Sequence, residues 1–346
     1  MKQPYSAYLS IGLDIIKSRF LNQRKPLFVS WALTNRCNYR CRFCDVYSQS
    51  ASELDTARVI KLIDELYAYG VKMISFVGGE PTIRDDIGEI IDYAHKRKIF
   101  VNVLTNGSLV SSKIKELRNV GLLKMSLNGP EDVHDYLVGK GAYRKSIEAI
   151  EIAKSNDIPV ELHAILTKNN LEYIDFIVNK AEEFKLAVGF QPVSSLHIFN
   201  KDIDYLYMSS TDWHVALEKI IRLKKEGRSI TNSNALLSYL HGWPNTNKKI
   251  NCCAGRIYCY ISAQGDIFSC APLGYRVKGY RCFDGNFKNA FDVLPERSIL
   301  EKMCFEKKGG PWCGALGTVE LSLIYSLEPN VMINYGLRIF KGKNKG

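Results

Sequence analysis

The chain has 346 residues, enough for one large domain or a large domain with a small companion, and its 46% hydrophobic and 24% charged residues with 11 Pro are an ordinary globular balance. Disorder, collagen-like repeats and coiled coil are excluded for the whole chain, and the longest uncharged run, Ser229 to Asn247, is too rich in Ser, Thr and Asn to span a membrane. Forty-seven Lys and Arg against 36 Asp and Glu leave a net charge of +11, which suits an acidic partner, an anionic substrate, nucleic acid, a lipid surface or plain solubility.

The first element, Tyr8 to Leu21, places Leu9, Leu13, Ile16 and Phe20 at helical spacing, with Arg24 and Lys25 behind it. Asp14, Lys17 and Arg19 break its apolar character, so no secretory pattern is present and a soluble, cytoplasmic protein is expected. A basic amphipathic helix of this kind either covers an open face of the fold or makes a peripheral contact with an anionic membrane. Residues 1–27 form this lead-in. Phe28 to Thr34 then reads as a buried strand that runs into a Cys-bearing loop.

After that loop, strands and helices alternate. Asp55 to Tyr69 has helical apolar spacing and stops at Gly70, Met73 to Val77 is a strand, and Asp85 to Lys98 is a helix. Phe100 to Leu104 is a strand, Ser111 to Val120 a helix closed by Gly121, and Leu123 to Leu127 a strand. A helix at Tyr143 to Ser155 leads to the strand Val160 to Leu166, and one at Leu171 to Phe184 leads to Ala187 to Gln191. Thr211 to Lys225 closes the series. Six strand–helix units imply parallel β-structure with right-handed crossovers, as a doubly wound sheet or a barrel. Residues 226–250 read as a linker. From 251 to 320 short segments with clustered Gly and Cys suggest a smaller metal-stapled domain, followed by a basic C-terminal segment, 321–346.

Ten Cys in a chain without an export signal favour metal or redox chemistry over disulfides. Three lie at Cys37, Cys41 and Cys44; none falls between 45 and 251; the other seven are at 252, 253, 259, 270, 282, 304 and 313. Three thiolates on one loop suit three irons of a [4Fe–4S] cube and leave one iron open; with a fourth ligand they would suit zinc.

Cys37-x3-Cys41-x2-Cys44 follows the first strand and has Phe43 before its last Cys. Gly78-Gly79-Glu80-Pro81 ends the second strand, Thr105-Asn106-Gly107 the third, and Ser126-Leu127-Asn128-Gly129 the fourth. With these motifs in this order, residues 28–225 resemble the radical S-adenosylmethionine (radical SAM) enzymes, with Asn128 where Asp is commoner. The resemblance implies an α/β fold with a partial (β/α)6 TIM-like barrel, a [4Fe–4S] cluster on the three Cys, and SAM bound at the C-terminal ends of the strands. It assigns SAM contacts to Phe43, Gly78, Gly79, Glu80, Pro81, Thr105, Asn106, Ser126 and Asn128. Gly78 and Gly79 allow close backbone approach, and Glu80 offers a carboxylate to a ligand ammonium. Gln191 is placed to touch the adenine, and His163 reads as a core or lining side chain. The implied reaction is reductive cleavage of SAM to methionine and a 5′-deoxyadenosyl radical, which takes hydrogen from a substrate.

Cys253-Ala254-Gly255, the run Ala263 to Cys270, and Gly285-Asn286 resemble the SPASM/Twitch extension of that family, which carries auxiliary [4Fe–4S] clusters. The implied ligands are Cys253, Cys270, Cys304 and Cys313. Cys304-x8-Cys313 replaces the compact Cys-x2-Cys of a SPASM domain and points to one auxiliary cluster. A two-cluster arrangement using Cys252, Cys259 and Cys282, a zinc ribbon and inert thiols stay open. The expected substrates are, in order, a peptide or peptidyl precursor, a lipid, and a small metabolite. An acidic flavodoxin- or ferredoxin-like reductant is the expected partner of the basic surface. Nucleic acid is not expected, because no aromatic–basic patch accompanies the charge. The alternative function is an iron–sulfur or zinc scaffold or electron carrier without SAM chemistry.

Overall fold

A computed structural model of the chain describes residues 5–194, 201–242, 250–274, 277–295, 300 and 316–328. Helix α1 (Tyr5–Phe20) leads into strand β1 (Phe28–Thr34), followed by α2 (Thr56–Tyr69), β2 (Met73–Gly78), α3 (Ile87–Lys96), β3 (Phe100–Thr105) and β4 (Leu122–Ser126). Next come α4 (Glu131–Val138), α5 (Ala142–Ser155), β5 (Val160–Leu166), α6 (Ile174–Glu183), β6 (Val188–Pro192), α7 (Ser210–Lys225) and α8 (Asn234–His241). The Cys-rich part holds β7 (Tyr258–Ile261), β8 (Asp266–Phe268), β9 (Tyr280–Arg281), α9 (Phe287–Asp292) and α10 (Leu316–Tyr325).

The strands form one sheet in the order β6-β5-β4-β3-β2-β1-β7-β8-β9. Strands β1 to β6 are parallel neighbours in sequence order, each crossover carrying the chain over the same face, as the (β/α)6 expectation requires. Alternate residues (Val101 and Val103, Leu123 and Met125, Leu162 and Ala164) are buried in the core that the helices cover. The residues between them, including Asn102, Lys124, Ser126, Glu161 and His163, point to the opposite, concave face, because side chains alternate along a strand. Strand β7 pairs parallel to β1, with Phe28 opposite Tyr258, and β8 and β9 continue antiparallel. The Cys-rich segment therefore extends the barrel sheet itself.

Local signals account for the boundaries. Asp55 caps α2 by accepting the N–H of Arg58, and Gly70 at φ +98° closes it in the left-handed region. Two expectations need correction. Residues 109–119 are successive turns, not a helix: N–H groups there alternate between i−3 and i−4 carbonyls, and the Ser112 hydroxyl takes the Leu109 carbonyl at 3.0 Å. The short helix α4, absent from the sequence reading, occupies the β4–α5 connection. Among the described residues no helix is long and apolar enough to cross a membrane.

Candidate active site

The Cys loop leaves β1 at Thr34 and is fastened from several sides. The N–H groups of Gly79 and Glu80 donate to the carbonyls of Thr34 and Arg36 at 2.8 and 2.9 Å. A Cβ at Gly79 would run into the carbonyls of Arg36 and Asn35, and one at Gly78, which sits at φ +123°, into that of Thr34. Only glycine permits this approach of two backbones. The buried guanidinium of Arg84 holds the carbonyls of Leu33 and Leu54 at 3.2 and 3.0 Å and pairs with Asp86 at 2.6 Å.

On the other side, Arg42 donates through its N–H to the Leu137 carbonyl and through Nε to that of Tyr136, both at 2.8 Å, so α4 becomes a wall of the loop. Tyr39, Cys41 and Phe43 pack on an apolar cluster centred on Leu137, Val138 and Leu206. Lys201, from the segment after β6, donates to the carbonyls of Cys41 and Cys44 at 3.0 and 3.2 Å and lies 4.9 Å over the Tyr47 ring. Sequence reasoning missed Arg42 and Lys201; single cations in loops, over 90 positions from their partners, give no periodic signal.

The three thiols are free and half-buried. Burial raises the pKa of all three, that of Cys44 to about 11, and Cys41 is pushed up further by its neighbours Cys44 and Cys37. Thiols this desolvated become thiolates where a cation takes up the charge. Among the described residues no three His, Cys, Asp or Glu side chains are gathered around one point, so the loop would have to draw its thiols inward around a cluster. In number, spacing and mutual electrostatic reach they fit one.

Glu80 is fully buried. Its Oε1 accepts the Thr82 N–H (3.1 Å) and hydroxyl (2.6 Å) and the Thr105 hydroxyl (2.8 Å), and its Oε2 accepts the Asn106 N–H at 2.7 Å. Burial raises its pKa while these bonds oppose the rise. Four donors within the chain thus hold the carboxylate that the sequence offers to a ligand ammonium. Pro81 opens the short 3-10 turn after it. Asn106 Nδ2 donates to Asn38 Oδ1 at 2.9 Å, and its side chain also reaches the Cys37 thiol, which joins the third-strand motif to the Cys loop.

Ser126 lies opposite His163 in the β4–β5 register. Asn128 is buried: its Oδ1 accepts the Ile165 N–H at 2.9 Å, its N–H donates to His134 Nδ1 at 3.0 Å, and its Nδ2 has no partner. Because His134 Nδ1 accepts, its proton is on Nε2, which is buried and unpartnered as well. Burial lowers the His134 pKa to about 4. Gln191 bonds to His163, whose pKa burial and then Lys124 lower to about 4; Lys124 itself pairs with Glu161 at 3.2 Å. In this structure the partner of Gln191 is a concave-face histidine.

In the Cys-rich part, Cys253 is buried with Sγ 3.8 Å from the Thr318 carbonyl, and Ser322 Oγ donates to it at 3.4 Å. Cys270, also buried, acts electrostatically on Tyr258, whose hydroxyl bonds to Ser30 and Thr318. Of these two thiols, that of Cys253 is in contact with Thr318 of α10. Cys304 and Cys313 lie outside the described residues. Cys259 and Cys282 are fully buried in the main core, where burial raises both thiols.

The sequence profile of the Radical SAM superfamily matches residues 31–181. The AdoMet-dependent heme synthase of Methanosarcina barkeri is 28% identical over 279 residues, 72% of this chain and 77% of that protein. Mycofactocin maturase MftC of Mycolicibacterium smegmatis is 27% identical over 317 residues, 84% of this chain and 76% of that protein. SuiB of Streptococcus suis, solved with S-adenosylmethionine, superposes with a TM-score of 0.65 at 18% identity over 87% of this chain and 73% of its own. The parallel strands, the glycine-backed loop of three thiols and this profile agree: residues 31–181 are a radical SAM superfamily domain.

Proposed function

We propose that the chain holds a [4Fe–4S] cluster on Cys37, Cys41 and Cys44, cleaves SAM reductively beside it, and thereby removes hydrogen from a peptide or peptidyl precursor. The observation that carries this reading is the loop of three thiols clamped at the C-terminal edge of the parallel strands; the buried, acceptor-less Nδ2 of Asn128, just past the end of β4, adds to it. A buried donor without an acceptor is a group that a ligand would satisfy. When bound, cluster and SAM supply the electron transfer and the 5′-deoxyadenosyl radical.

The chain's residues do the rest. Gly78 and Gly79 let the second strand's end press against the Cys loop, and Glu80 locks that end to Thr105 and Asn106. Asn128 offers its free amide to the cofactor, Thr105, Asn106, Ser126 and Gln191 line its surroundings, and Phe43 and Pro81 shape the walls. Lys201 and Arg42 hold the loop still. Cys253 and Cys270, with Cys304 and Cys313, are the proposed ligands of one auxiliary [4Fe–4S] cluster in a segment, 251–320, that follows the 28–225 core and the 226–250 connection. Mycofactocin maturase by its name, and SuiB by a structure with its precursor peptide SuiA, support the peptide class. An acidic flavodoxin- or ferredoxin-like protein is the proposed reductant, and reduction by it should slow as salt rises.

Anaerobic reconstitution followed by iron counting and assay of 5′-deoxyadenosine after reduction tests the proposal. About eight irons per chain, from two four-iron clusters, with nucleoside formation support it; zinc without SAM turnover would refute it.

A further inference from the structure

Helix α1 is apolar on two sides. Its inner side packs Ile15 and Ser18 into the core, with Ile11 beside them, and the Tyr325 hydroxyl of α10 donates to the Ser18 carbonyl at 3.1 Å. Its outer side carries Leu13, Ile16 and Phe20, at positions i, i+3 and i+7, continued by Leu21. These four are 57, 45, 67 and 72% exposed. The stripe that marks this helix as amphipathic is therefore the one turned to solvent. One exposed Leu is ordinary; four large apolar side chains within nine residues make a patch that calls for a partner.

Charge selects the partner. Lys17 is exposed on the same side, and the Arg19 guanidinium lies 5.8 Å over the Phe20 ring. The helix has one acid, Asp14, which pairs with Lys25 at 2.9 Å. An apolar stripe edged by cations, with its one acid neutralised, fits an anionic lipid surface: Leu and Phe enter the headgroup boundary while Lys and Arg keep to the phosphates. The 16-residue helix is about 24 Å long at the usual rise, short of the roughly 30 Å hydrocarbon core, so it would lie in the plane of the interface.

We propose that α1 docks the protein on an anionic bilayer, with Leu13, Ile16, Phe20 and Leu21 entering it and Lys17 and Arg19 facing acidic headgroups. The inference stands on the helix alone and adds a partner to the enzyme reading. The test is flotation of the full chain with vesicles of phosphatidylcholine, with and without phosphatidylglycerol, at low and high salt. Binding should require the anionic lipid and weaken about ten-fold or more in high salt. The Leu13→Glu/Phe20→Glu variant should lose binding while keeping its thermal midpoint and its SAM cleavage. Failure to float, equal binding to phosphatidylcholine alone, or a dimer in sedimentation that the double variant dissociates would each overturn the proposal. SAM cleavage measured without vesicles reports on the enzyme reading separately.

Discussion

Glu80 Oε2 accepts the backbone N–H of Asn106 at 2.7 Å, and this bond joins the ends of two adjacent parallel strands. Asn106 in turn donates to Asn38 of the Cys loop at 2.9 Å, so a carboxylate buried in one motif sets the position of the other two. Removing it leaves four buried or half-buried donor groups, two of Thr82 and one each of Thr105 and Asn106, without their acceptor.

Glu80→Ala should lower stability by about 3 kcal/mol or more, since each stranded donor costs about 1–3 kcal/mol. Glu80→Gln keeps a carbonyl acceptor and should recover part of the loss. Urea unfolding of the apo-proteins measures both; equal midpoints for Glu80→Ala and the unaltered chain would contradict the tie.

Gly79→Ala should separate the Cys loop from β2, because the new methyl meets the carbonyls of Arg36 and Asn35. Iron retained after reconstitution should fall several-fold. Gly12→Ala is the control: nothing lies within 4 Å of a Cβ there, and Ala in a helix is favoured by about 0.5–1 kcal/mol. Matching iron contents for the two variants would show that close approach at Gly79 is unimportant.

Lys201→Met should make the loop's cluster harder to reduce, because a cation bonded to the carbonyls of Cys41 and Cys44 favours the more negative, reduced state. A potentiometric titration followed by EPR should place its midpoint below that of the unaltered protein, with Lys201→Arg close to the latter. An unshifted midpoint with full iron content would assign Lys201 a packing role alone.

His134 and His163 have pKa values of about 4 in the fold, below the free-histidine value of 6.5. The unfolded chain therefore binds more protons between pH 4 and 6.5, and stability should fall as pH drops through that window and be fully present above it. The two together should contribute a few kcal/mol to the slope. His134→Gln should flatten the fall in urea midpoint between pH 7 and 5; an unchanged slope would mean that His134 charges freely in the native protein.

Strands β1 to β6 were readable because parallel strands covered by helices appear as short apolar runs, and α2 because Asp55 and Gly70 mark its ends. Helix α4 escaped notice at two turns, although Pro130 followed by Glu131 and Asp132 is a start signal. The 109–119 segment misled in the opposite sense, since its apolar spacing suits a helix while its serines favour turns. The spacing of Cys37, Cys41 and Cys44 marks the loop proposed as the centre of the site. The saturation of Glu80 and the Lys201 clasp depend on contacts across 25 and 157 or more positions, which no local pattern encodes. The sequence marks the stripe of α1 but leaves its direction open, because a helix with apolar residues on two sides does not declare which one faces the core.

The most direct measurement is 5′-deoxyadenosine formed from SAM by the anaerobically reconstituted, chemically reduced protein, with iron counted in the same samples. The unaltered chain should release the nucleoside, and Cys37→Ala, Cys41→Ala and Cys44→Ala should each release none while keeping iron at the distal cysteines. Nucleoside release by any of these three variants, or none from an iron-replete unaltered chain, would contradict the assignment of the loop as the site of SAM cleavage.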